Sequence, residues 1–344
     1  MKKFMLFAAA ASAALVGCVN DEQMEMAQEA KKVSFDTPVM ATQTRANVKG
    51  EMNNGTTYNT NENFVVYAKK SSEELTMDTW TSGTNFWKDG EGLTVTYKNA
   101  GDWEHASDVY YWPKDGYLSF AAYSPAALDA NGGTVTYGNG GWVVTDFKVN
   151  STVGNQIDLM VSEPVMNQTE PNTETAVTID FKHVLSSIVF SVIENDDNHS
   201  YQINSVTVNG NIAMTGSMNN SLQWGHNGQT ATTLTKNNVN YKVLTTATEF
   251  LNGENAMLLI PQTGIGDVEV TLNITRTADG TNVTETYDKT VKFSEFAISG
   301  GSGSVTEWQV GKRYVYNFTI GGTKKIFFAP TVTNWETVTL NVEI

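Results

Sequence analysis

The sequence predicts an all-β protein made of two tandem β-sandwich domains, and three observations carry that expectation. Apolar residues recur at spacing two, not at three and four, over most of the chain. The runs are short and are separated by turn signals such as "DANGG" and "ENDDN". The one cysteine, Cys18, lies near the N-terminus, so no intramolecular disulfide is available and apolar burial and backbone ladders must hold the fold.

In chain order, Lys2 and Lys3 form a positive head and Phe4 to Val16 an uncharged run, the length of a signal-peptide core and too short to span a bilayer. The run ends in Leu15-Val16-Gly17-Cys18, which resembles the lipobox of bacterial lipoproteins; residues 1–17 are therefore expected to be a signal peptide and Cys18 the acylated residue. Asp21 and Glu22 resemble the acidic tag of lipoproteins sent to the outer face of the outer membrane. Asn20 to Lys32 reads as a helical tether with little apolar periodicity. Val33, Phe35 and Val39 then alternate with polar residues, and Pro38 marks that strand as an edge or weakly paired one.

Strands follow at "NFVVYA", "LTVTY", "GYLSFAAY", "GTVTY", "WVVTDFKV", "AVTIDF", "SSIVFSV", "NSVTV" and "AMLLI". The clearest are "DVEVTLNIT", with Val268, Val270, Leu272 and Ile274 on one face, and "RYVYNFTI", with Tyr314, Tyr316, Phe318 and Ile320. Pro164 and Pro171 in "EPVMNQTEPNTET" interrupt the pattern and place a domain boundary near residue 173. The expected units are thus a tether with the first strand over 18–45, an N-terminal sandwich over 46–172 and a C-terminal sandwich over 173–344. "ISGGSGSV" reads as a surface loop.

A net charge of -15 opposes nucleic-acid binding and excludes it as a partner. His105, His183, His199 and His226 lack metal-ligand spacing, and no thiol is spare, so neither metal nor cofactor is expected. "DANGGT" opens like a calcium loop but lacks the terminal Glu, and no serine lies in a G-x-S-x-G elbow. Asp196 and Asp197 adjoin in a loop signal, and a glycosidase pair would need convergence that a sequence does not display. No catalytic residue is expected. Trp80, Trp87, Trp103, Trp112 and Trp142 cluster in the first half and serve either as core or as a sugar-stacking surface.

Several phrases in order resemble the fimbrillin family, the type V pilins and associated lipoproteins of Bacteroidales surface fimbriae. They are "TRA" at Thr44 to Ala46, "VYYWPKDGYLSFAAYSP" at Val109 to Pro125, "IDFKHVLSSIVFSV" at Ile179 to Val192, "LLIPQ" at Leu258 to Gln262, "WQVGKRYVYNFTI" at Trp308 to Ile320 and "VTNWE" at Val332 to Glu336. The resemblance implies transthyretin-like sandwiches and a structural, non-enzymatic subunit at the outer membrane and in a fimbria. It implies an arginine-specific protease cutting between Arg45 and Ala46, other fimbrial subunits as partners, and a host or bacterial glycan or protein receptor. It also implies that a strand from a neighbour fills the groove left by the discarded first strand. The C-terminal segment 337–344 suits the role of donor, since Val338, Leu340, Val342 and Ile344 alternate with polar residues and could contribute about 6–10 kcal/mol before ordering costs. Alternatively the chain is a tip adhesin, an anchor subunit or a stand-alone glycan-binding lipoprotein.

Overall fold

A computed structural model describes residues 31–36, 63–88, 92–97, 103–105, 108–128, 132–172, 175–251, 255–298, 304–321, 326–332 and 336–342. Cys18, Val39, Arg45, Ala46 and Ile344 fall outside them. Among the described residues the regular structure is β-strand in five sheets with a few short 3-10 turns, the all-β class expected. No helix among them is long and apolar enough to cross a membrane.

The first sheet runs in the order Val177–Thr178, Phe35–Asp36, Trp103–His105, Leu93–Tyr97, Phe64–Ser71, Tyr117–Ser124, Met160–Ser162 and Phe181–His183. Its two end strands are separated in the chain by Ile179 and Asp180 alone, so the sheet must curl until its edges approach. The inner face is aromatic. Phe64, Trp87, Trp103, Trp112, Phe120 and Phe181 are buried there, and period two explains why Phe64, Val66 and Ala68 all point inward from one strand.

The opposite face of that sheet is covered by the hairpin Thr134–Gly138 and Gly141–Lys148. Its Trp142 packs edge-on against Tyr67 and Tyr123, with ring centroids 6.0 and 6.2 Å away. The turn is Asn139-Gly140, and Gly140 sits at φ 82°, where a Cβ would be strained. The hairpin extends into a four-stranded sheet by pairing with Thr215–Met218, which in turn pairs with Trp224–His226.

Hydrogen bonding therefore crosses position 173 in both directions. Residues 177–183 complete the first sheet, and residues 215–226 extend a sheet begun by 134–148. One buried cluster joins Trp80, Tyr137 and Trp142 to Ile188, Val270, Leu272 and Tyr316.

The remaining two large sheets come from the second half. One places Ser186–Asn195 between Thr248–Leu251 and the parallel strand Lys312–Gly321; the other is Thr230–Lys236, His199–Ile212, Glu269–Ala278 and Thr284–Lys292. Val268, Val270, Leu272 and Ile274 are all buried, as are Tyr314, Tyr316, Phe318 and Ile320, so both alternating runs present the face expected. Tyr316 is packed by Phe293 at 4.5 Å and Phe296 at 4.8 Å, and its hydroxyl accepts a hydrogen bond from Trp308 Nε1 at 3.0 Å.

Burial pushes the Tyr314 hydroxyl up to about 12 and that of Tyr316 well above its ordinary value. In the unfolded chain both would ionise near pH 10. The folded state holds its protons longer, so their stabilisation is complete below about pH 10 and falls as the pH rises from there. Absorbance at the tyrosinate band should rise together with loss of tryptophan burial in an alkaline titration, and Tyr316→Phe should move that unfolding to higher pH. Reversible ionisation with tryptophan burial intact would contradict this.

Candidate functional site

The segment 31–36 is the feature of the fold that the sequence singled out and the structure reshapes. Lys32 bridges Tyr111, so the last residues of the expected tether run extended, not helical; the rest of that stretch lies outside the described residues. Phe35 then pairs antiparallel with Trp103 and parallel with Val177. Pro38 predicts an edge or weakly paired strand. The strand is interior, with neighbours on both sides, though only Phe35 and Asp36 pair in it; Pro38 itself lies outside the described residues.

Beside the ladder pairings of Phe35 and Asp36, four further backbone bonds fix it. Val33 N–H donates to Tyr110 O at 2.8 Å and Lys31 O accepts from Trp112 N–H at 2.9 Å, both on one side. On the other side Ser34 O accepts from Val177 N–H and Asp36 O from Ile179 N–H, each at 2.8 Å. Lys31 Nζ also donates to Pro171 O. Bonds alternate between the two neighbours residue by residue, as an inner strand requires.

Alternation also sends Val33 and Phe35 into the aromatic interior. Phe35 is 2% exposed and meets Phe120 at 5.5 Å, Phe64 at 6.4 Å and Trp87 at 6.4 Å, all edge-on. Such pairs add to the area term, so this one ring is the plug of the first core. Taking the segment away would leave a slot between the strands Trp103–His105 and Val177–Thr178. Its walls would be roughly 10 Å apart, two strand spacings, which is the width of one extended chain.

The other candidate residues distribute as follows. Trp80, Trp87, Trp103, Trp112 and Trp142 are each at most 6% exposed, so all five are core and none forms a sugar-stacking surface. His183 Nδ1 lies 2.9 Å from the buried Asp158 carboxylate, and His105 lies 3.4 Å from Asp108. Asp196 is a turn cap. It accepts from Tyr201 OH at 2.5 Å, His199 Nδ1 at 2.9 Å and the Asn198 amide at 3.0 Å. Burial alone would raise its carboxyl, but these bonds outweigh it and hold the group below the usual range. Nothing brings Asp197 opposite it as an acid–base pair.

Of the three arginines, Arg276 pairs with Glu285 at 2.8 Å within adjacent strands, and Arg313 is 3% exposed and bound to Glu249. The third, Arg45, lies outside the described residues. At the other end of the chain, Val338, Leu340 and Val342 belong to the strand Glu336–Val342. That strand pairs antiparallel with Ile326–Val332 and Ala297–Ile298 and parallel with Lys312–Gly321. Of the two walls of the slot, Trp103–His105 is what sequence reasoning missed, a strand too short to carry a period; Val177–Thr178 falls within the run "AVTIDF" that reads as a strand.

A fimbrillin-like family model matches residues 44–335. No curated protein matches the sequence. Among solved structures, a candidate cell adhesion protein from Bacteroides uniformis superposes with a TM-score of 0.50 at 16% identity, covering 88% of this chain and 99% of that one. A second, from Bacteroides ovatus, gives 0.50 at 14% identity over 92% and 98%. A fimbrilin from Porphyromonas gingivalis gives 0.43 at 10% identity over 86% and 91%. For the first two, at these identities, the likeness is one of fold.

Phe35→Ala in the intact chain should lower stability by about 3–5 kcal/mol, the cost of an emptied phenylalanine site that the surrounding rings cannot refill. Ser34→Ala, which keeps all four backbone bonds, should cost less than about 1 kcal/mol. Urea unfolding followed by tryptophan emission reads both, and equal effects would sink the assignment of Phe35 as the plug.

Proposed function

Because the chain belongs to the fimbrillin-like family, we propose that it is a structural subunit of a cell-surface fimbria that contributes to adhesion. In this reading it is exported as a lipoprotein on Cys18, cut between Arg45 and Ala46, and joined to its neighbours through the slot that residues 31–36 now fill. The family is one of structural subunits, not of enzymes.

The single observation that carries the reading is that an interior strand of the first sheet lies on the far side of Arg45 from the rest of the fold. One cut severs the covalent link of that strand to the body it completes. What remains after its departure is two facing strand edges above an aromatic core, a surface that demands an extended chain. Such a chain restores the ladder and the plug together. An arginine-specific protease would find Arg276 and Arg313 locked in ion pairs within strands, so its action on the folded protein falls on Arg45.

A C-terminal segment of a neighbouring subunit is the donor in this reading, and Val338, Leu340, Val342 and Ile344 give 337–344 the alternation required. The two-sandwich division near residue 173 is kept, with residues 175–183 crossing over to close the first sheet. A second reading, an anchor that retains its lipid, is favoured by the pairing of Glu336–Val342 within its own chain.

The test is the N-terminus and intact mass of the protein recovered from the bacterial surface. A start at Ala46 without lipid is expected. A start at acylated Cys18 would overturn the polymerising role and leave the anchor. Arg45→Ala should abolish fimbriae seen by electron microscopy while the lipid-bearing monomer accumulates in the outer membrane, and Cys18→Ala should remove the acyl mass.

A further inference from the structure

The outer face of the first sheet carries a cleft that the strand slot does not involve. It holds about 350 Å³, within the size range of small-molecule sites. Its floor is the strand Phe64–Ser71, where period two turns Phe64, Val66 and Ala68 into the aromatic core and leaves Tyr67 and Lys69 on the opposite side. Its walls are Trp80 and Thr81 from the turn Met77–Ser82, and Thr136 and Tyr137 from the hairpin. Asn85, paired directly across from Lys69, completes the lining.

These parts are tied to one another by the chain itself. Thr81 N–H donates to Asn139 Oδ1 at 2.8 Å, Gly140 N–H to Met77 O at 2.9 Å and Tyr67 OH to Val135 O at 2.9 Å. Trp80 and Tyr137 pack edge-on at 4.6 Å. The cleft is therefore preformed, and a ligand would lose little affinity to ordering it.

Two groups in the lining are incompletely matched. Lys69 Nζ donates to Asn85 Oδ1 at 2.5 Å, a neutral amide, and burial pulls the lysine below its ordinary pKa with no carboxylate among the described residues to offset it. A partly desolvated cation whose protein partner is uncharged suits an anion. Tyr137 is 7% exposed, and its hydroxyl has no hydrogen-bond partner among the described residues. Burial, and after it the Glu163 carboxylate, push that hydroxyl up to about 12, so it keeps its proton and stands as a donor. Glu163 itself is engaged by Lys182.

Resting on the reading that the chain contributes to adhesion, we infer that this cleft binds an acidic sugar, a pyranose unit whose carboxylate meets Lys69 and whose hydroxyls meet Tyr137, Asn85, Thr81 and Thr136. A bare carboxylate would satisfy Lys69 alone. The other polar groups call for a polyhydroxylated acid. Trp80 is 1% exposed and serves as the back of the wall, not as a stacking face. On a chain of net charge -15, long-range attraction does not help an anion, so retention has to come from contacts inside the cleft.

The test titrates the intact chain by calorimetry against N-acetylneuraminic acid and glucuronic acid, with glucose as the neutral sugar and acetate as the bare carboxylate. At least one of the two acids should bind, and glucose and acetate should each bind about tenfold or more weakly. Lys69→Gln should weaken that acid by about tenfold or more, whereas Lys70→Gln, at the next and exposed position outside the lining, should leave it unchanged. Tyr137→Phe should weaken it about fivefold while the urea midpoint stays level or rises, since the hydroxyl removed has no partner in the chain. A purely structural tyrosine would not separate those two readouts. Neither acid binding, glucose or acetate binding as tightly as the acids, or Lys69→Gln or Tyr137→Phe binding as the parent does would each overturn the site. The fimbrial role would survive any of these results, because the N-terminus and mass of the surface protein decide it separately.

Discussion

The aromatic core of the first sheet depends on residues 31–36, which lie between two strands from distant parts of the chain. Phe35 is in contact with rings from Phe64, Trp87 and Phe120, three different parts of the chain, and its backbone holds Trp103 on one side and Val177 on the other. Buried amides and carbonyls must find partners, so the two flanking strands are satisfied on their facing edges while some extended chain lies between them. The identity of that chain is a secondary matter to the sheet. Its presence is not.

The rest of the fold is arranged so that this dependence stays local. Tyr67 and Tyr123, on the opposite face of the same sheet, are anchored by Trp142 in a hairpin whose sheet continues into residues 215–226. That second core runs on without interruption to Val270, Leu272 and Tyr316. The strands Phe64–Ser71 and Tyr117–Ser124 are therefore fixed from behind, with a seven-pair antiparallel register between them. One face of the sheet can lose a strand while the other remains packed.

How much of this could be read from the chain depends on the length of each element. Val268 to Ile274 and Tyr314 to Ile320 each alternate over two turns of the pleat or more, long enough for period two to declare both the strand and its buried face. Trp103–His105 is too short to show any period, yet it is one wall of the slot. The run "AVTIDF" reads as one strand but is two, because Ile179 and Asp180 carry the chain from one end of the curled sheet to the other. Pro38 suggested an edge or weakly paired strand because local chemistry reports which amides are missing and not how many neighbours a strand has. The tryptophans show the same gap: composition counts rings, while burial depends on which strand faces which.

The geometry of the slot also constrains what kind of joint it could make. One neighbour of the completing strand runs parallel to it and the other antiparallel, and the bonds alternate from residue to residue. An entering chain must therefore run in one direction. Its register is fixed as well, since a slip of one residue would turn the plug outward. If the entering chain comes from a second copy, the two surfaces in contact are different parts of the molecule, the first sheet of one subunit and the C-terminal region of the other. Such a contact is heterologous. Each added subunit brings its own emptied slot and its own free segment, so the assembly does not close on itself at two copies and grows as a directional chain unless its rotation happens to complete a ring. If an interior completing strand is cut away, a filament is the natural consequence, where loss of an edge strand would give a contact with neither a fixed direction nor a plug.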